Sequence, residues 1–137
     1  MKFALNYLMV IVIALLSSAT FASEVSPLTV EGATTVDATK AKELFDDGAL
    51  FVDVRSDKDW AAGRIPDAVH IELKKVFNEA ALASEAAKDE AIVIYCNGES
   101  CLRSSEASAK AVSWGFTNIS YFRDGFPAWK AAGYPSE

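Results

Sequence analysis

The chain has 137 residues and a formal net charge of −6, from 13 basic and 19 acidic side chains. This length gives room for one domain around one hydrophobic core. The acidic balance argues against nucleic acid or an anionic membrane surface as a partner, because like charges repel.

The N-terminus has the pattern of a secretory signal peptide, predicted over residues 1–22. Lys2 is followed by an apolar run over residues 7–16 and then by small residues that end at Ala22. A basic start, an apolar middle and a small-residue end are typical of such peptides. The alternative is a retained membrane anchor, but the apolar run is shorter than the roughly 20 residues that a spanning helix needs. We expect cleavage after Ala22, or else after Ala19, export to the periplasm, and no stable membrane association of the mature chain.

Strand and helix signals alternate after a polar N-terminal leader predicted over residues 23–33. Short apolar runs predict buried strands, and apolar residues at helical spacing predict helices. The predicted strands cover 34–36, 50–54, 68–71, 91–95 and 118–122. The predicted helices cover 38–45, 57–62, 73–87 in one or two pieces, 104–114 and 127–132. This alternation indicates one α/β domain over residues 34–137 with a mainly parallel sheet.

Two segments end neighbouring strand signals and are expected to face one site. Cys96 follows the apolar run 91–95, and Asp53-Val54-Arg55 ends the run 50–54. Ligands of open parallel sheets bind beyond the carboxyl ends of the strands. We therefore expect the site at this edge of the sheet.

The loop Cys96-Asn97-Gly98-Glu99-Ser100-Cys101-Leu102-Arg103 carries the chemistry that the sequence predicts. Loop amides, the start of the following helix and the charge of Arg103 all favour a thiolate, so the pKa of Cys96 is expected to be lowered. A thiolate held among such donors can attack sulfur, phosphorus or arsenic centres, or carry a persulfide. The alternative is an inert, buried thiol that ends a strand.

We predict Cys96, Arg103 and Cys101 as catalytic residues. The predicted substrate-binding residues are Asn97, Gly98, Glu99, Ser100, Leu102, Ser104 and Arg55.

Several polar residues near the loop have more than one interpretation. Glu99 is expected to point outward, because unpaired acids are seldom buried. Asp53 is interpreted as a structural hydrogen-bond partner, and Arg55 either as a salt-bridge partner or as a substrate contact. His70, the lone histidine, is expected to be structural, and no metal or cofactor is predicted.

Three segments, taken in order, resemble the rhodanese-like domain family. Phe51-Val52-Asp53-Val54-Arg55 resembles the first signature of these domains, and Asp124-Gly125-Phe126-Pro127-Ala128-Trp129 resembles their C-terminal signature. Cys96 stands where the family has its catalytic cysteine. The resemblance extends from Val36 to Pro135 and implies a five-stranded, mainly parallel sheet flanked by helices. It also implies sulfur transfer through a cysteine persulfide.

The loop departs from the usual family pattern. Six residues separate Cys96 from Arg103, where the usual loop has five or fewer, and the sequence resembles a longer-loop branch with a second cysteine, here Cys101. That cysteine either resolves an oxidised or persulfidated Cys96, or only fills space in the packing.

The predicted function is that of an exported sulfurtransferase. Sulfane sulfur from a small donor, thiosulfate or a persulfide, is carried on Cys96 to a thiol acceptor. The alternatives are a thiol–disulfide redox protein that uses Cys96 and Cys101, and a non-catalytic interaction module. Arsenate reduction or phosphatase activity is a weaker alternative.

Overall fold

A computed structural model describes residues 25–137, so the predicted signal peptide and the first two residues of the leader lie outside the described residues. Ten elements alternate along these residues. The strands are β1 (Thr34–Thr35), β2 (Leu50–Asp53), β3 (Val69–His70), β4 (Ile92–Tyr95) and β5 (Ile119–Phe122). The helices are α1 (Ala38–Asp46), α2 (Asp57–Ala62), α3 (Glu79–Ala83), α4 (Arg103–Ser113) and α5 (Gly125–Ala131).

The strands form one parallel sheet in the order β1-β5-β4-β2-β3. The predicted fold class, a five-stranded parallel sheet flanked by helices, is confirmed. No helix within residues 25–137 is both long enough and apolar enough to cross a membrane.

Two hydrophobic clusters cover the two faces of the sheet. Successive strand residues point to opposite faces, so Ile92 and Ile94 belong to one cluster and Val93 and Tyr95 to the other. The buried face of α4 completes the first cluster, and Trp129 of α5 belongs to the second. The central strands are therefore buried on both sides, which explains their continuous apolar sequence.

The prediction of one or two helical pieces over residues 73–87 is wrong in extent, because α3 is the one helix that the structure places there. Glu72 holds the preceding segment in a turn, since its carbonyl and its carboxylate accept bonds from the backbone N–H groups of Phe77 and Lys75. Asn78 then starts α3 as an N-cap whose side chain accepts from the N–H of Ala81. An extended cap residue interrupts helical geometry, so the pattern breaks into a turn and a short helix.

Candidate active site

The predicted site forms at the carboxyl edge of the sheet. Strands β2 and β4 are neighbours, with Asp53 opposite Tyr95, so the segments that follow them leave the sheet side by side. Arg55 joins them, because its Nη1 donates to Oδ1 of Asn97 at 3.2 Å. The two segments therefore face one site, as the sequence predicts.

Asp53 and Arg55 form a buried ion pair beneath this site. Arg55 Nε lies 3.0 Å from both carboxylate oxygens, and Nη2 lies 2.6 Å from Oδ2. Burial alone lowers the pKa of Arg55, but the hydrogen bonds and charge of Asp53 outweigh it and raise that pKa overall. Asp53 is thus a structural partner. Of the two interpretations of Arg55, a salt-bridge partner or a substrate contact, the structure shows the salt bridge.

Asn97 fixes the start of the cysteine loop. Its Nδ2 donates to Asp59 Oδ2 at 2.9 Å, while its Oδ1 accepts from Arg55. Burial opposes ionisation of Asp59, but hydrogen bonds from Asn97 and Ser56 lower its pKa overall. The Asn97 side chain therefore connects the loop to α2 and to the Asp53–Arg55 ion pair.

Cys96 and Cys101 are joined by a disulfide, with their Cα atoms 6.4 Å apart. Gly98 has a φ of +111°, and its carbonyl accepts from the N–H of Cys101 at 3.0 Å, so the loop turns back on itself. Cys96 is fully buried, whereas Cys101 is only partly buried. The two sulfurs meet as a resolving cysteine requires, while the resolving role and the lowered pKa of Cys96 stay predictions.

Arg103 begins α4 and binds a carboxylate that sequence reasoning missed. Its Nη1 donates to the carbonyl of Val54 at 3.2 Å and to Oε1 of Glu72. The Glu72 side chain is only 4% exposed. Burial raises the pKa of Glu72, but the hydrogen bond from Arg103 and two backbone bonds lower it overall. The one available signal was an acid between two buried apolar residues, Ile71 and Leu73.

The segment predicted as a polar leader holds the middle of the loop. The backbone N–H and the hydroxyl of Ser26 both donate to the carbonyl of Glu99 at 2.7 Å. Arg123 donates to the carbonyl of Ser26 at 3.1 and 3.3 Å and pairs with the Glu99 carboxylate at 3.5 Å. The Glu99 side chain is 71% exposed, so its predicted outward orientation is confirmed.

A glycine in the C-terminal signature, Gly125, packs directly against the backbone of Cys96. The N–H of Phe126 donates to the carbonyl of Cys96 at 2.9 Å. A Cβ on Gly125 would lie against that same carbonyl and 2.9 Å from the nitrogen of Gly98, and Gly125 has a φ of +62°. Only glycine adopts this conformation and this close approach without strain.

The remaining predicted residues divide between surface and core. Ser100 and Leu102 are exposed, whereas Ser104 is fully buried and its hydroxyl has no hydrogen-bond partner among the described residues. His70 is structural as expected, because Nε2 contacts the carbonyl of Arg55 at 2.9 Å and the ring stacks on Trp60.

A cavity of about 200 Å³ adjoins the loop, and its lining includes Arg55, Asp59, Asn97, Phe126 and Lys130. Among residues 25–137, His, Cys, Asp and Glu side chains form no group that could hold a metal ion.

Comparisons with known proteins agree with this architecture. The family model described as "Rhodanese-like domain" matches residues 37–132. The thiosulfate sulfurtransferase GlpE of Pseudomonas savastanoi pv. phaseolicola is 33% identical over 99 residues, which cover 72% of this chain and 87% of that relative.

Two solved structures share the fold. The rhodanese-like domain of the Anabaena protein Alr3790 has a TM-score of 0.65 at 27% identity, with 75% of this chain and 77% of that one covered. The human single-domain sulfurtransferase TSTD1 has a TM-score of 0.59 at 26% identity, with 72% and 96% covered.

Proposed function

The chain belongs to the rhodanese-like domain family, and on that basis we propose that it is a sulfurtransferase that carries sulfane sulfur as a persulfide on Cys96. Sulfurtransferase relatives support the general activity. The observation that carries the assignment to Cys96 is its position after the central strand β4, in a loop that returns to the first turn of α4. Backbone amides and a helix N-terminus favour anionic sulfur at such a position.

The first proposed step loads the protein with sulfur. The Cys96 thiolate attacks the outer sulfur of thiosulfate, the bond between the two thiosulfate sulfurs breaks, and sulfite leaves with the bonding electrons. The product is a persulfide on Cys96. Cyanide can then attack the outer sulfur, which releases thiocyanate and restores the Cys96 thiolate.

Cys101 provides a second route for release. Its thiolate attacks the inner sulfur of the persulfide, the outer sulfur leaves as hydrosulfide, and the Cys96–Cys101 disulfide forms. Two external thiols then reduce this disulfide and are themselves oxidised to a disulfide. The disulfide of the described structure supports this route.

The other loop residues are proposed to bind the donor and to shape the loop. The amides of residues 97–100 and 102 are the proposed donors to the anion, because the N–H of Cys101 already donates to the carbonyl of Gly98. The adjoining cavity adds the charge of Lys130. Arg55 and Arg103 are both paired with buried carboxylates. Their proposed contribution is therefore to hold the loop in place, because each guanidinium charge is already compensated by a buried carboxylate.

We propose that the mature protein acts in the periplasm on a small sulfur donor and a thiol acceptor. The signal-peptide pattern of residues 1–22 supports this location. Disulfides persist in such a compartment, so a thiol reductant has to act before Cys96 can accept sulfur.

A thiol–disulfide redox protein is the second candidate function, and the Cys96–Cys101 disulfide is the observation that favours it. The two functions differ in what the Cys101→Ser variant does. If the protein is a sulfurtransferase, the Cys101→Ser variant still loads sulfur on Cys96. If it is a dithiol redox protein, the variant cannot form the disulfide and loses thiol–disulfide exchange activity. A non-catalytic module is disfavoured by the presence of the cysteine itself.

The activity test uses pre-reduced protein with thiosulfate as donor and cyanide as acceptor, and it measures thiocyanate. We expect turnover by the wild type and by Cys101→Ser, and none by Cys96→Ser, because a hydroxyl cannot form a persulfide. Full activity of Cys96→Ser would reject Cys96 as the sulfur carrier.

A further inference from the structure

The two sulfurs of the disulfide lie in different surroundings. Cys96 is 0% exposed and belongs to the buried cluster that includes Val54, Ile94 and Ala107. Cys101 is partly exposed and packs against the edge of that cluster. Its chain neighbours on both sides, Ser100 and Leu102, are exposed. Only one end of the bond therefore faces solvent.

Attack on a disulfide sulfur is directional. The nucleophile approaches along the line of the S–S bond, opposite the sulfur that leaves. Cys96 is 0% exposed within the core cluster, so its sulfur offers an external thiol no open approach. Cys101 is partly exposed, so a thiol can reach it from the loop surface. Access decides which sulfur of a disulfide reacts.

We infer that an external thiol opens this disulfide by attacking Cys101, so that the mixed disulfide forms on Cys101 and Cys96 leaves as the free thiolate. The S–S bond of the protein breaks, and a bond forms between Cys101 and the attacking sulfur. A second thiol then attacks that mixed disulfide, is oxidised with the first, and leaves Cys101 reduced. This inference builds on the proposed function, because it makes Cys101 the sulfur that a reductant meets when it prepares Cys96 for sulfur.

Sulfite is a suitable probe for the direction of attack, because it adds to one sulfur as an S-sulfonate and releases the other as a thiolate. The oxidised, folded wild type is treated with sulfite, quenched with acid at early times and alkylated at the released thiol. Cleavage after Glu99 separates the two cysteines, and mass spectrometry locates each group. We expect S-sulfonate on Cys101 and alkyl on Cys96, with at least about a tenfold excess over the reverse product.

The matched control is the same protein in urea, where both sulfurs are accessible and comparable amounts of the two products are expected. S-sulfonate mainly on Cys96, an even mixture in the folded state, or no reaction in the folded state while the unfolded protein reacts would each overturn the inference. The measurement needs no sulfur transfer. Sulfonation at Cys101 by a protein without transferase activity would keep the inference and reject the proposed function, whereas sulfonation at Cys96 by an active transferase would do the opposite.

Discussion

Replacement of Arg103 by alanine tests whether this residue stabilises the site through a buried partner. The change leaves the Glu72 carboxylate, 4% exposed, without the guanidinium that it binds. Breaking a buried ion pair from one side costs about 3–5 kcal/mol. Two features reduce that figure here: Arg103 is itself 23% exposed, and Glu72 keeps a hydrogen bond from the N–H of Lys75 at 2.8 Å. We expect a loss of about 2–3 kcal/mol in the free energy of unfolding, or roughly 10 °C in Tm.

Urea denaturation of Arg103→Ala, Glu72→Gln and the double variant measures this loss. The double variant is expected to be more stable than Arg103→Ala alone, because it leaves no uncompensated buried charge. A stability loss in Arg103→Ala below about 0.5 kcal/mol would refute the reasoning, since surface substitutions alone cost that much. A double variant whose loss in the free energy of unfolding equals the sum of the two single losses would also contradict the expected coupling between Arg103 and Glu72. The activities of these variants are to be compared at temperatures well below their melting temperatures, so that unfolding does not contribute.

Three further changes test the residues that build the loop. The pKa of Glu72 is lowered in the folded state, so its carboxylate stabilises the fold above about pH 4.3 and this contribution is lost as pH falls through the lower folded pKa. Urea unfolding against pH should show the difference between wild type and Glu72→Gln shrinking below about pH 4, and a constant difference would contradict this. Gly125→Ala should cost at least about 2 kcal/mol more in thermal unfolding than the matched variant Gly133→Ala, because both positions have positive φ but only Gly125 is tightly packed; equal losses would disprove the packing argument. Ser26→Ala removes one hydrogen-bond donor to the carbonyl of Glu99 and should lower the free energy of unfolding by about 1 kcal/mol. It should also raise the reduction potential of the disulfide, because the loop is then held less firmly in its disulfide-closed form. Thr35→Ala, which loses a similar bond within the N-terminal segment, should leave that potential unchanged, and equal shifts in the two variants would argue against loop positioning.

Local patterns predicted the sheet well, because each central strand is a short apolar run buried on both faces. Residues 92–95 and 119–122 are buried at every position. The helical prediction for residues 73–87 was wrong in extent for a local reason as well. Its apolar spacing is helical, but Asn78 caps a new helix inside it, and cap residues compete with helix continuation.

The sequence also predicted where the cysteine loop lies in the fold, since a cysteine directly after a buried strand has a recognisable local context. Its supports were missed because they come from distant parts of the chain. Ser26 binds Glu99 across 73 residues, and Arg103 binds Glu72 across 31. Periodicity and spacing describe neighbours along the chain and carry no information about such pairings. Gly125 belongs to the C-terminal signature, but its packing against Cys96 depends on a contact between segments that are distant along the chain.

Mass spectrometry of the intact protein shows whether Cys96 carries the transferred sulfur. Pre-reduced Cys101→Ser is treated with thiosulfate, freed of the donor and measured without reductant, beside Cys96→Ser treated in the same way. We expect Cys101→Ser to gain the mass of one sulfur atom, the added sulfur to map to Cys96, and cyanide to remove it as thiocyanate. An added sulfur on Cys96→Ser, or none on Cys101→Ser under conditions where the wild type produces thiocyanate, would contradict it.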